Sequence, residues 1–185
     1  CVTHTADVTI DRTEVLPTID VQLLSHETLC SAPNGKLEAS AIVFGGESAS
    51  EFGFEWTLDG DATVLGTNSV LDNLSAGTYA VTATHNLSGC ANTALKEVED
   101  NRAIPVVTAT SDAHQTGCDA SAPNGSVSAK VGVVTSGYTF YWFDGEVTSP
   151  DILLADHAGI SYSDLAAGKY TVVAVRDDTG CESLP

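Results

Sequence analysis

Leu165-Ala166-Ala167-Gly168-Lys169-Tyr170-Thr171-Val172-Val173-Ala174-Val175 is a tight corner running into a strand. Small residues close on Gly168, a tyrosine leads, and apolar and β-branched residues then follow with a period of two. The same reading holds at an offset of 91 (165 against 74), where Leu74-Ser75-Ala76-Gly77-Thr78-Tyr79 opens into Ala80-Val81-Thr82-Ala83-Thr84. Upstream of each corner, Ser31-Ala32-Pro33-Asn34-Gly35 recurs letter for letter as Ser121-Ala122-Pro123-Asn124-Gly125. Gly89-Cys90 recurs as Gly180-Cys181, and Phe54-Glu55-Trp56 as Phe140-Tyr141-Trp142. Matched anchors in one order, with small gaps, mean two copies of one domain of about 90 residues.

The phase of the repeat divides the chain. Cys1 runs to Pro17 and Cys30 much as Cys90 runs to Pro105 and Cys118. Residues 1–17 therefore read as the last strand of a preceding, truncated copy. Residues 18–104 read as a first immunoglobulin-like repeat and 105–185 as a second one lacking its final strand. The chain has no Met and no apolar signal segment. It reads as a window from a longer secreted polypeptide. In an assembly the 1–17 tail would offer a strand to a neighbour's last copy.

Composition narrows the function. Seven Lys and Arg face 25 Asp and Glu, for a net charge of −18. Nucleic-acid binding draws its energy from cations on phosphates, so nucleic acid is excluded as a partner. Anionic membrane surfaces are disfavoured for the same reason, and no apolar run reaches the roughly 20 residues that cross a bilayer. The acid excess reads as solubility and mutual repulsion along a rod.

Strand patterns fill both copies. Lys36 to Ile42 and Ser126 to Val131 alternate with period two, and Gly, Asn, Asp and Pro punctuate the runs. Ile19 to Leu23 and Val106 to Thr110 read as first strands, Phe52 to Leu58 and Tyr138 to Phe143 as third strands, and Ala94 to Val98 as a last strand. The fold class is all-β, and the expected architecture is tandem immunoglobulin-like β-sandwich domains in an extended rod. Trp56, Trp142, Tyr79 and Tyr170 are the expected core residues, each tyrosine packing back across its Gly corner. Ile104-Pro105 marks a short, stiff boundary.

Five cysteines in such a chain suggest disulfides with one partner cut away. One arrangement pairs Cys30 with Cys90 and Cys118 with Cys181, leaving Cys1 alone. The other pairs Cys1 with Cys30 and Cys90 with Cys118, leaving Cys181 alone. Counting satisfies both. The first is preferred because it staples each sandwich, closing about 60 residues for roughly 4 kcal/mol. Its difficulty is that Cys118 to Pro123 must then run alongside the sheet to reach Cys181.

Ion sites are weaker signals. His26 and His114 each precede a cysteine by four residues, which is half of a zinc site without its other half. Asp59-Gly60-Asp61 and Asp144-Gly145-Glu146 follow the Trp strands, so Asp59, Asp61, Asp144 and Glu146 are candidate calcium ligands. The plainer reading of both Asp-Gly pairs is a turn. No cofactor is otherwise expected. Asn73, Asn86 and Asn124 head glycosylation-type triplets. No nucleophile elbow, zinc helix or phosphate loop appears, so no enzyme activity is expected. Tyr138, Tyr141, Phe143 and Tyr162 are the rings a carbohydrate site would use.

Taken in order, Asn-Gly, the aromatic-aromatic-Trp strand, the Leu-Ala-Ala-Gly-Lys-Tyr-Thr-Val-Val-Ala-Val run and Asp-Asp-Thr-Gly-Cys resemble the SprB-type repeat. That repeat occurs in giant secreted surface adhesins of gliding bacteria. The match is closest over residues 118–181 and looser over 30–90, where His85-Asn86-Leu87-Ser88 replaces the acidic stretch. The resemblance implies type IX secretion, display on the outer cell surface and, in motility members, a filament that grips the substratum. No catalytic residue comes with it. The expected function is a structural and adhesive segment, a disulfide-stapled stalk whose partners are neighbouring repeats and external surfaces or polysaccharide. The alternative is a carbohydrate-binding accessory module of a secreted hydrolase, which exposed paired aromatics would betray.

Overall fold

The computed structural model describes residues 8–10, 14–43 and 49–185. Cys1 and much of the 1–17 tail therefore lie outside the described residues, and so do the readings placed on them. The described residues are all-β: thirteen strands and two single 3₁₀ turns, with every pairing between strands antiparallel. They fall into two compact units.

The first unit takes described residues of Cys1–His26 together with Gly35–Glu99. Its strands are β1 (Thr18–Ser25), β2 (Gly35–Ile42), β3 (Phe52–Leu58), β4 (Val64–Gly66), β5 (Val70–Leu74), β6 (Gly77–His85) and β7 (Ala91–Val98). One sheet runs β1-β2-β5 and the other β4-β3-β6-β7. Alternation decides what faces inward. Leu37, Ala39 and Ala41 of β2 meet Phe52, Phe54 and Trp56 of β3 and Tyr79, Val81 and Ala83 of β6 in one core. Each fully buried side chain of Leu or Val size contributes roughly 1.5–3 kcal/mol. Trp56 is wholly buried, and its indole N–H donates to the Asn68 carbonyl at 2.8 Å.

The second unit takes Glu27–Asn34 and Asp100–Pro185. Its strands are β8 (Val107–Ala113), β9 (Gly125–Val131), β10 (Tyr138–Asp144), β11 (His157–Ala158), β12 (Ser161–Leu165) and β13 (Tyr170–Arg176). The sheets are β12-β9-β8 and β11-β10-β13, around Ala129, Phe140, Trp142, Val172 and Ala174. Trp142 repeats Trp56, buried with its indole N–H on the Gly159 carbonyl at 2.9 Å. Backbone detail repeats as well. Asn73 and Asp164, the two non-glycine residues with positive φ among those described (57° and 58°), stand at matching corners, and short polar side chains tolerate that region best.

The units depart from the sequence copies at residues 100–104, which go to the second unit, at the described residues up to Pro17, which go to the first, and at one internal loop. Glu27–Asn34, the loop between β1 and β2, belongs to the second unit although its flanks belong to the first. Glu27 is buried there, bridges Asp100 in parallel register, and accepts from the Asn101 N–H at 2.8 Å.

The two units also differ at one edge. β6 is paired along its length with β7, from Gly77 against Val98 to Thr84 against Ala91. The matching edge of β13 carries a bridge from Val175 to Glu182 and a bond from Ser183 N–H to the Ala174 carbonyl at 2.8 Å.

Candidate functional site

The chemistry of this chain gathers where its cysteines sit. Each copy builds two kinds of half-site. The first is the loop entering the second strand. In one copy the Asn34 carboxamide oxygen accepts from the Thr28 and Leu29 N–H groups at 2.8 and 3.2 Å, and its amide donates to Thr28 Oγ1 at 2.9 Å. In the other, Asn124 accepts from Thr116 and Gly117 at 2.9 and 3.3 Å and donates to Thr116 Oγ1 at 3.0 Å. Asparagine suits this because one side chain both accepts from and donates to its own loop. Cys30 and Cys118 follow each clamped Thr by two residues.

The second half-site is the hairpin ending in Gly-Cys. Gly89 and Gly180 take φ of +70° and +68°, a region glycine reaches without Cβ strain. Their N–H groups donate to the His85 and Arg176 carbonyls at 2.8 Å in both copies. The Cys90 and Cys181 carbonyls in turn accept from the His85 and Arg176 N–H groups at 2.9 Å.

One loop and one hairpin are joined. Cys30 and Cys181 form a disulfide with Cα atoms 4.8 Å apart, across 151 residues of sequence. The Cys30 N–H donates to the Thr179 carbonyl at 2.9 Å, Ser31 packs against Gly180, and Cys181 is fully buried. Neither arrangement expected from counting contains this pair, so both are corrected. Cys90 and Cys118 are free thiols, half-buried and exposed respectively. The physical reason lies in the loop: Glu27–Asn34 folds with the second unit, which carries Cys30 to the hairpin of the following sequence copy. Repeat arithmetic fixes which cysteines are equivalent but not which copy a loop folds with.

The tyrosines occupy their expected corners. Tyr79 is buried and its hydroxyl donates to the Ser75 carbonyl at 2.8 Å, while the Tyr170 hydroxyl donates to Ala166 at 2.9 Å. Tyr170 is only half-buried. Burial and the nearby Asp144 carboxylate raise its pKa. The difference follows from the unmatched edge of β13. In the first unit Val98 of β7 reaches over Gly35, its Cγ1 lying 2.7 Å from where a Cβ on that glycine would stand. Around Gly125, Leu165, Gly168, Tyr170 and Trp142 the second unit has a groove of about 400 Å³ instead.

The acidic candidates take local roles. Asp61 accepts from the Thr63 N–H and hydroxyl, both at 3.0 Å, which lowers its pKa. Asp144 accepts from the Tyr162 hydroxyl at 3.5 Å, and Glu146 pairs with Lys169. Asp59 and Asp61 belong to one unit, Asp144 and Glu146 to the other. Among the described residues, no group of three or more His, Cys, Asp or Glu side chains converges as a metal site requires. His26 is engaged by Glu99, whose N–H donates to Nδ1 at 3.0 Å and whose carboxylate lies 3.5 Å from Nε2.

Each ring of the carbohydrate alternative is at least half-buried. Phe143 is buried, and Tyr138, Tyr141 and Tyr162 are half-buried. Tyr162 stacks on His157 at 4.6 Å and meets Tyr170 edge-on at 6.0 Å. The Asn clamps are the feature that residue patterns did not single out as functional. Their signal was present in the letter-for-letter Ser-Ala-Pro-Asn-Gly repeat, read there as an anchor of the two copies and, at Asn124, as a glycosylation-type triplet.

No protein-family model matches the chain, and no curated protein matches it.

Proposed function

We propose that this chain is a segment of a tandem array of immunoglobulin-like β-sandwiches, serving as a disulfide-stapled stalk of a secreted surface protein that adheres to external surfaces. The observation that carries the reading is the Cys30–Cys181 bridge. It joins residues from two successive sequence copies within one compact unit. A bridge inside each copy would hold that copy shut; a bridge from copy to copy also carries tension past the intervening peptide. That is the arrangement a load-bearing array needs, since stability in such arrays resides in repeats and their nearest-neighbour interfaces. The two-sheet cores around Trp56 and Trp142, and the tyrosine corners, support the immunoglobulin-like assignment. The net charge of −18 keeps neighbouring arrays apart in solution.

An accessory carbohydrate-binding module is the less supported reading, because every Phe, Trp and Tyr among the described residues is buried or half-buried. Glycan platforms need exposed rings. The deciding experiment is the intact mass and sequence content of the parent polypeptide, with surface labelling of its cells. A chain of several hundred kilodaltons, built mostly of this repeat and labelled from outside, is the expected result. A modest chain carrying one dissimilar catalytic domain would overturn the stalk and move the function to that domain.

A further inference from the structure

We propose that the Cys30–Cys181 bridge is a redox-gated length lock. Oxidised, it confines a pull along the array to β1 and the loop after it; reduced, it hands that pull to both units. The inference deepens the stalk reading above and rests on it, but not on what the stalk adheres to.

Covalent connectivity sets the path of a load. A pull entering from the N-terminal side runs along β1 to Cys30, crosses the two sulfur atoms and leaves from Cys181. The Cα atoms of the pair stand 4.8 Å apart, while 151 residues separate them in sequence. Residues 31–180 are therefore a closed loop beside the load path. That loop holds β2–β7 of the first unit and β8–β13 of the second, with both tryptophan cores. No tension passes through its peptide bonds while the bridge is intact.

What remains on the path has little length to give. β1 is already extended over Thr18–Ser25, and a strand's rise of about 3.3 Å per residue is close to the limit of the chain. Its seven register pairs with β2 run from Thr18 against Ile42 to Ser25 against Lys36. A straight strand need not leave those pairs to carry tension. The loop beyond β1 is tied to the second unit by backbone bonds as well as sulfur. Asn101 N–H donates to the Glu27 carbonyl at 2.8 Å, and Cys30 N–H to the Thr179 carbonyl at 2.9 Å.

The gate follows from burial. Cys181 is fully buried and Cys30 half-buried, so a thiol reductant reaches the Cys30 sulfur first. A dithiol's thiolate bonds to that sulfur, the S–S bond breaks, and Cys181 leaves as a thiolate that takes up a proton. The reductant's second thiol then displaces Cys30 and closes the reductant's own disulfide, so two electrons pass to the protein. Without the bridge the load path runs through residues 31–180, which add about 500 Å when fully drawn out.

The test is single-molecule stretching of the full chain, tagged at both ends. Cys1→Ser, Cys90→Ser and Cys118→Ser leave one bridge able to form, and tryptic mapping first identifies peptide 13–36 linked to 177–185. The oxidised chain should reach high force without an unfolding step from either unit. Adding dithiothreitol, or Cys30→Ser, should lengthen the drawn-out chain by about 500 Å, in steps from both units. Val98→Ala, which weakens the first core, should lower the force of one step in the Cys30→Ser chain and leave the oxidised trace unchanged.

A Val98→Ala effect on the oxidised trace would overturn the inference and leave the stalk reading standing, because load would then be reaching the first core through β1. A reduced chain that gains no length would overturn it too. If mapping finds no link between 13–36 and 177–185, the copy-to-copy reading behind the proposed function falls, and the lock with it.

Discussion

Asp100 shows how much a single residue says about the junction between sequence copies. The Arg102 guanidinium grips its carboxylate at 2.8 and 2.7 Å, and the Arg102 N–H adds a bond at 3.1 Å. Together they hold the Asp100 pKa at about 2, below its ordinary 3.8. A group whose pKa is depressed by folding stabilises above its unfolded value, and that contribution is lost as pH falls through the folded value. Asp100 belongs to the second unit. The melting temperature of that unit should therefore exceed that of Arg102→Ala by a constant margin above about pH 4, and the margin should vanish near pH 2. Both side chains are substantially exposed, so the margin is small. Thermal melts of the two proteins from pH 2 to 6 check it, and a margin that survives at pH 2 would refute the assignment. At this scale the sequence was legible for the core: Trp56, Trp142 and Tyr79 are buried. It was poorly legible for the acids, because a carboxylate's partners, such as Thr63 for Asp61, depend on turn geometry rather than on spacing alone.

Strands were read closely because a half-buried sheet imposes a period of two on its residues. Phe52–Leu58 stands as expected, and the other expected strands shift by one to three residues at an end, as with Ala91–Val98 for the last strand of the first copy. Register was not legible, since it depends on which strand lies opposite. The last strand illustrates the energetics. Val98 is almost fully buried in the first core and lies against Gly35. Val98→Ala removes two methyl groups and leaves a cavity, so the first unit should lose about 2 kcal/mol. Calorimetry should show its transition falling while that of the second unit stays in place. The groove at Gly125, Leu165 and Tyr170 marks the corresponding place in the second unit, with no Val98 equivalent among the described residues.

At the largest scale, the bridge across 151 residues is the longest-range covalent constraint among the described residues. Closing a loop of that order contributes about 3–5 kcal/mol in the chain-entropy account, less where intervening chain stays folded. Both cysteines belong to the second unit. A phosphine reductant should therefore lower the second unit's melting temperature by roughly 10–20 °C and leave the first unit's nearly unchanged. Cys30→Ser should reproduce the shift without reductant. An unchanged second transition with released thiols would mean that the bridge carries no stability.

That the chain is all-β, that it holds two copies of one pattern, and where each tryptophan and corner tyrosine sits were legible from the amino acids alone. Periodicity, turn residues and self-similarity are local properties, and they survive in a string of letters. That Glu27–Asn34 folds with the second unit, so that Cys30 meets Cys181, came from the folded chain and not from its letters. The equivalence of the cysteines constrained their pairing without selecting it. Selection required knowing which sulfur atoms the folded loops bring within bonding distance, and that depends on contacts between residues far apart in the chain.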